Sequence, residues 1–493
     1  MSTGIDRETG GMIDGGQRAH THGLRAASLG PWAVLGQSLA NICASGAPLI
    51  SIPVVASNAG CGTWISFSVA TAGVVLVAFN INVFARDASG TASLCDYIAR
   101  SMGTTAGVLG SWALAIAYIG TGIACAPLFG YYLNSLLAPF HLHIPLLPFN
   151  ILLLLAVWFF AWKDMRLSAH LMLTIEFSAM AIGTLMAATI LYRLGLHVDL
   201  QQFSFHSLSP SAIGRGSILA FMAAVGFESA ASVGDEARNP LKNIPRVIVG
   251  SGIIAGFYYV LNAYAMVAGF HAISADMARS QAPALDVARA NGVAILAVLL
   301  TISGLVTSFS VVLACIVAGT RTLFQLAQHG VLPAVFRHVH ARNRTPDTAV
   351  HAATLIALAV VVLMTLAGIA PPAIWDYVGS ISTFGFLLAY LLLSVGAPIY
   401  LHRSGSLRSA HLVVASLAVV AVSIPLVSSI FPVPDYPHNL MIYIFVALLA
   451  VGMGWFLALR WRRPAIDAEI AGHLKKTYQS FALERIVNPD AAP

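Results

Sequence analysis

An all-α polytopic membrane protein with twelve transmembrane helices is what this chain of 493 residues predicts, and three observations carry that reading. Charged residues make up 9% of the sequence and hydrophobic residues 58%, whereas roughly 25% of a typical soluble domain is charged. From Ala26 to Ala85, and again from Ser101 to Trp162, there is no Asp, Glu, Lys or Arg, so each stretch has room for two spans of about 20 residues. Apolar runs and polar breaks then alternate along the chain. They place spans starting near Leu29, Gly62, Leu109, Pro148, Leu167, Ser217, Val247, Ile295, Ala349, Ile374, His411 and Leu440.

Lys and Arg set the orientation. With the N-terminus in the cytoplasm, 22 of the 26 fall on the inner side, leaving Arg193, Arg215, Arg279 and Arg289 outside; without the tails the ratio is 13 to 4. The net charge of +6 therefore reports topology, and nucleic-acid binding is a poor explanation of it. The expected division is a cytoplasmic tail over 1–25, spans one to five within 26–200, spans six to ten within 201–403, spans eleven and twelve within 404–463, and a cytoplasmic tail over 464–493. The lipid bilayer, that of the cytoplasmic membrane, is the expected surrounding.

Taken in order, the first 23 residues are polar, rich in Gly and His, and lack the apolar core of a secretion signal. The first span contains Asn41-Ile42-Cys43-Ala44-Ser45-Gly46-Ala47-Pro48, where small residues and a Pro without a backbone donor favour local unwinding. In the third span Tyr118, Thr121, Gly122 and Cys125 share a face at helical spacing, which suits either a ligand wall or close helix packing. The fifth, Leu167 to Leu191, has no Lys or Arg but carries Glu176; the sixth runs Phe221-Met222-Ala223-Ala224-Val225-Gly226-Phe227-Glu228. An ionisable group at such depth costs about 2.5 to 3.5 kcal/mol on insertion scales and by default lines a cavity or an ion path. On the eighth span Ser303, Thr307 and Ser310 lie at i, i+4 and i+7. The Pro-rich stretch Phe431 to Pro437 is an external turn between the last two spans, and after Arg463-Pro464 the chain becomes polar.

Irregular backbone at bilayer depth persists only where it is buried or lines a cavity. Interruptions in the first and sixth spans, with 180 residues between Gly46 and Gly226, suggest two inverted repeats of five spans, although Gly and Pro kinks are also common in membrane helices generally.

Gly226-Phe227-Glu228-Ser229-Ala230-Ala231, continuing through Gly234 to Pro240 and Ile244-Pro245-Arg246, resembles the sixth span and following loop of amino acid permeases of the APC superfamily. Arg321 to Ala327, then Gly330-Val331-Leu332-Pro333 and Thr345-Pro346, resemble the end of that family's eighth span; a weaker match runs from Ser89-Gly90 through Tyr97 to Gly103. The resemblance implies a LeuT-type 5+5 inverted repeat with broken helices one and six plus two peripheral helices. It also implies that an amino acid or related amine, a polyamine included, moves by alternating access. Its binding residues would be Ala44, Ser45, Gly46 and Ala47, with Met222, Ala224, Val225, Gly226 and Phe227, facing Tyr118 and Gly122.

Glu228 matches the family's Gly-aromatic-Glu position and is read as a coupling or gating acid, with a structural hydrogen bond as the alternative; Glu176 is either a second proton site or a packing residue. Ser303, Thr307 and Ser310 hold the place where sodium-driven relatives bind Na⁺ through hydroxyls. Proton-coupled symport is the leading expectation; Na⁺ coupling, exchange, and a non-transporting amino acid sensor are the alternatives. The fifth span lacks the Lys of some proton-coupled members. Ala224 and Ala44 replace the family's aromatic and first Gly, which reshapes the pocket; Val317 and His329 also depart from the pattern.

Asp235, Glu236, Arg238, Lys242 and Arg246 below the sixth span, with Arg86, Asp87, Asp96 and Arg100 below the second, suggest an inner gate, the alternative being a solvated loop whose ion pairs are worth about 0 to 1 kcal/mol each. No enzyme motif, metal-ligand spacing or cofactor signature stands out among the sixteen His and five Cys, and the cysteines are read as small packing residues.

Overall fold

Long apolar segments that must satisfy their own backbone polar groups become helices, and the computed structural model has that form. It describes residues 23–487 apart from 25–26, 47, 91–93, 164, 205–207, 274–276, 278–279, 281–282, 432 and 434–435. The N-terminal tail and much of the expected Pro-rich turn thus lie outside the described residues. The helices are α1 (Pro31–Ile42), α2 (Ser51–Ala59), α3 (Thr63–Ala85), α4 (Leu94–Met102), α5 (Thr104–Leu137), α6 (Leu146–Lys163), α7 (Met165–Arg193) and α8 (Pro210–Ala223). After a ten-residue 3₁₀ segment, Phe227–Glu236, come α9 (Pro240–Ala272), α10 (Pro283–Ala290), α11 (Ala294–Gln328), α12 (Asp347–Leu366), α13 (Pro371–Arg403), α14 (Ser409–Ser428), α15 (His438–Arg462) and α16 (Ile466–Val487).

Eleven helical stretches among the described residues are long and apolar enough to cross a membrane, one fewer than the sequence predicts. The difference lies in the first expected span. α1 has 12 residues, about 18 Å at 1.5 Å per residue, against a hydrocarbon core of about 30 Å. It stops where Cys43 enters the left-handed region at φ 54°, and α2 adds only nine residues before Gly60 turns the chain into α3.

α5 is the axis of the bundle: 78% of its most apolar window is buried, and it packs along α11 and α13. α14 and α15 bury only 22% of theirs and expose Leu412, Val413, Leu417, Tyr443 and Val451, so they sit at the periphery. Trp112 of α5 docks α15 by donating to the Leu448 carbonyl at 2.9 Å, against Gly452, where a side chain would collide with its ring.

α16 corrects the picture of a plain polar tail. It lies across the basic end of the bundle with Ile466, Ile470, Leu474 and Phe481 buried. Ile466, Ile470 and Leu474 join Ala99, Val108, Leu326 and Val331, while Phe481 packs on Ala88 and Leu241. Thr104 donates to Asp467 at 2.6 Å, and the Arg100 guanidinium lies 3.5 Å over the Tyr478 ring.

Candidate functional site

Two helices end in mid-bundle and face one another. α1 ends at Cys43, whose backbone N–H turns back to Leu39 and Ala40; Ala44–Gly46 form one 3₁₀ turn before α2 begins at Ser51. α8 ends at Ala223, and the chain turns at Gly226 with φ 96°; a Cβ there would meet the Asn41 carbonyl oxygen at 3.1 Å. Glycine is required by both the backbone angle and the close approach. Tyr259 of α9 spans the two breaks, donating to Ala223 O at 3.0 Å and reaching Ile42 O at 3.5 Å. Ser38 and Ser251 donate to the Phe227 carbonyl, and Ser229 donates to Gln37 O at 3.2 Å, so α1 is stitched to the segment after the second break.

Glu228 is fully buried, and both its oxygens are taken. Tyr118 of α5 donates to Oε1 at 2.7 Å, Tyr390 of α13 donates to Oε2, and the Tyr390 hydroxyl also accepts the Gly226 N–H at 2.9 Å. The carboxyl ties the second break to two long helices.

Glu176 is fully buried too, but only half satisfied. Ser45 of the first break donates to Oε2 at 2.8 Å, while the buried Oε1 closes no well-formed hydrogen bond among the described residues. The Ser310 hydroxyl lies close enough to this carboxyl to act on it as a hydrogen-bond donor without closing a well-formed bond, and the nearby Tyr258 hydroxyl has no partner among the described residues. Buried polar groups left unpaired are rare and mark a water, ion or proton site.

A cavity of about 180 Å³ opens between the breaks and the end of the bundle opposite the basic connections. Of the predicted binding residues it takes in Gly46 and Met222, with Thr121 and Cys125 from the α5 face; Ala44, Ser45, Tyr118, Gly122, Ala224, Val225, Gly226 and Phe227 do not line it, and Ala47 lies outside the described residues. The reasons are local. Ser45 turns to Glu176, Tyr118 to Glu228, and Gly122 packs on Cys315 and Ile316 of α11, the packing reading of that face.

The hydroxyl stripe of α11 also divides. Gly304, Thr307, Ser308 and Val311 line the cavity at i, i+3, i+4 and i+7. At 100° per residue Ser303 and Ser310 fall on the adjoining stripe; Ser303 donates to Leu299 O within its own helix, and Ser310 neighbours Glu176.

The sequence reading missed several groups here. Asn41, Ile42 and Cys43 at the end of α1, Tyr132 of α5, and Trp375, Asp376, Gly379 and Thr383 of α13 all line the cavity. Asp376 sits at the rim, 2.6 Å from His438. Tyr259 and Tyr390, which organise both breaks, carry no local sequence signal.

At the basic end, Glu236 takes a partner from outside the charged group named in the sequence. Arg321 of α11, only 1% exposed, grips it through Nε and Nη2 at 2.7 to 2.9 Å. The Glu236 carbonyl accepts the Leu29 N–H at 2.9 Å, joining the start of α1 to the same point. Asp96 meets His329 at 3.2 Å, Asp87 accepts from Tyr400 at 2.5 Å, and Arg238 donates to Ala27 O at 3.2 Å.

The amino acid permease family profile matches residues 34–464. The chain is similar to the branched-chain amino acid permease BcaP of Lactococcus lactis subsp. cremoris (strain MG1363), with 25% identity over 71% of this chain and 77% of that protein. It is similar also to the methylthioribose transporter of Bacillus subtilis (strain 168), with 23% identity over 62% and 68% of the two chains. Among solved structures, a mutant of the Eremococcus coleocola manganese transporter superposes with a TM-score of 0.52 at 14% identity, covering 91% of this chain and 95% of that one, a likeness of fold. These relatives are transporters, not enzymes, and with eleven apolar helices the chain is an integral membrane protein.

Proposed function

The chain belongs to the amino acid permease family, and on that premise we propose that it carries a neutral amino acid with an apolar side chain across the cytoplasmic membrane by alternating access, coupled to protons. One observation carries the reading: two helix ends of opposite polarity line the same cavity. Ile50, Ser51 and Val54 at the N-terminus of α2 bring the positive end of its dipole to the cavity, and Met222 and Ala223 bring the negative end of α8. An N-terminus suits a carboxylate and a carbonyl-bearing C-terminus suits an ammonium. Ile42, Leu128, Leu219 and Val311 leave an apolar wall for the side chain, which supports a neutral substrate of the kind BcaP is named for.

In this reading α1 and α2 are the two halves of a twelfth span, residues 31–59, and the 3₁₀ segment Phe227–Glu236 continues α8, so the two breaks head inverted repeats over 26–200 and 201–403. Both termini lie in the cytoplasm, the side of the Lys- and Arg-rich connections. The buried Arg321–Glu236 pair and the α1 contacts around it form the inner gate, closed here while the cavity opens outward.

Glu176 carries the coupling proton. It touches the first break through Ser45 and has an oxygen free to change partners, whereas Glu228 is held on both sides and positions the second break. The same oxygens of Glu176, Ser45 and Ser310 are hard donors of the kind Na⁺ prefers, which makes sodium the second reading.

Uptake of labelled amino acids and polyamines into proteoliposomes decides between these. Accumulation of neutral amino acids under an inward proton gradient, abolished in Glu176→Gln while exchange against internal substrate survives, is expected. Na⁺ dependence lost in Ser310→Ala selects sodium, and specific binding without flux under any gradient overturns transport in favour of a sensor.

A further inference from the structure

The basic end of the molecule holds a second cavity, of about 370 Å³, between α16 and the chain that follows α11. Its walls come from separate parts of the chain. Arg337 stands on a short 3₁₀ turn after α11, Arg463 at the end of α15, and Glu469, Gly472, His473 and Lys476 form one stripe of α16 at i, i+3, i+4 and i+7. Gly472 makes the hollow: a Cβ built there meets nothing within 4 Å.

The charges around this hollow do not balance. Three cations, Arg337, Arg463 and Lys476, face it together with His329 and His473, and Glu469 is the one carboxylate in the lining. Glu469 contacts Arg463 at 3.3 Å. Arg337 is anchored by its Nε on the Ala327 carbonyl at 2.5 Å, which fixes the guanidinium at the wall. His329 meets Asp96 at 3.2 Å, and its ring lies 6.5 Å from that of His473.

His473 reports the field. Burial first, and then the charges of His329, Lys476 and Arg337, hold its imidazole below the ordinary value, with Asp96 acting in the opposite sense. Cations gathered from three elements on a hollow with a glycine floor repel one another unless an anion sits among them, and a fixed guanidinium beside an ammonium matches the oxygens of a phosphate group.

We propose that this cavity is a binding site for a phosphate-bearing anion, bound by Arg337, Arg463 and Lys476, that fastens α16 to the rest of the basic face. The phosphate comes either from an anionic lipid headgroup or from a soluble phosphate compound. Arg460, Arg462 and the exposed Trp461 lie at the adjacent end of α15, the position of a bilayer boundary, so both sources reach the site. A bound anion supplies the charge His473 lacks. Anion and proton therefore bind together, and affinity rises as pH falls through the range where the imidazole titrates.

The test uses the purified full-length protein and reads its thermal unfolding, first against inorganic phosphate with chloride at matched ionic strength, then in nanodiscs of phosphatidylglycerol against phosphatidylcholine. We expect stabilisation by phosphate or by the anionic lipid, with affinity higher near about pH 6 than near about pH 7.5. The double variant Arg337→Gln/Lys476→Gln weakens the response by about tenfold or more, while Lys475→Gln, whose side chain lines a different cavity, leaves it unchanged. Gly472→Glu places a carboxylate in the hollow; it removes the response and raises the starting transition temperature, and it decides the matter alone if the double variant does not fold. A response to the lipid only, or to phosphate only, identifies the source. Equal responses to phosphate and chloride with no lipid preference, or a response that survives Gly472→Glu, overturn the proposal.

Discussion

At the first chain break the backbone turns at Cys43, φ 54°, and the acid beside it, Glu176, has one oxygen on Ser45 and the other unpaired. At the second it turns at Gly226, φ 96°, and Glu228 is held between Tyr118 and Tyr390. The two acids are equally buried, so burial does not separate them; the number of partners does. A carboxyl with every oxygen satisfied rigidifies its surroundings, and one with an oxygen left over has somewhere to send a proton. On the proposed reading the second break is a fixture that positions the first, and the first is where ion and substrate movement meet.

Substitutions that exchange these properties break or sharpen the contrast. The largest effect is expected for Glu176→Gln: accumulation driven by a proton gradient falls by about a hundredfold, equal to about 2.7 kcal/mol, with little change in thermal stability. A stability loss larger than the transport loss would reverse the roles of the two acids. Gly226→Ala comes next, because its Cβ meets the Asn41 carbonyl at 3.1 Å in a backbone region that favours glycine; about 1 to 3 kcal/mol of stability is lost, read by unfolding in detergent. Tyr390→Phe leaves the Glu228 oxygen and the Gly226 N–H without their hydroxyl, at a cost of about 1 to 2 kcal/mol, and the pH profile of uptake keeps its midpoint. The smallest change belongs to Cys43→Gly, which relieves a left-handed residue and leaves stability equal or higher by about 1 kcal/mol. A loss there would show that the thiol itself holds the break.

Much of this was legible in the chain because membrane physics writes in composition. Runs without charge gave the long helices, Gly226 and the small residues around Cys43 gave the breaks, and an acid at depth drew attention to Glu176 and Glu228. The break in the first span was legible from its small residues and Pro48; composition did not show that neither half, α1 with 12 residues or α2 with nine, is of membrane length by itself. Of the residues read from position along the breaks, Gly46 and Met222 line the cavity together with parts of α1, α2, α5, α8, α11 and α13, while the turn at Cys43 sends Ser45 to Glu176. Tyr390 lies 162 residues from Glu228 and Tyr259 sits in an ordinary apolar helix, so neither role has a local signature. α16 was missed for a different reason: Ile466, Ile470 and Leu474 do recur at i, i+4 and i+8, but the polar composition around them was read as a tail.

That last helix has a bearing on how the molecule is made. Ala88, Ala99, Val108, Leu241, Leu326 and Val331 come from three widely separated parts of the chain, and all of them wait for residues beyond 465 to cover them. Synthesis runs from the N-terminus, so every span is already made while this apolar surface still stands bare. A ribosome that stalls within the final segment would release a protein with its membrane helices complete and a hydrophobic patch turned toward water, the kind of surface that quality-control proteases and chaperones bind. Until α16 is made and docked, these apolar residues stay uncovered.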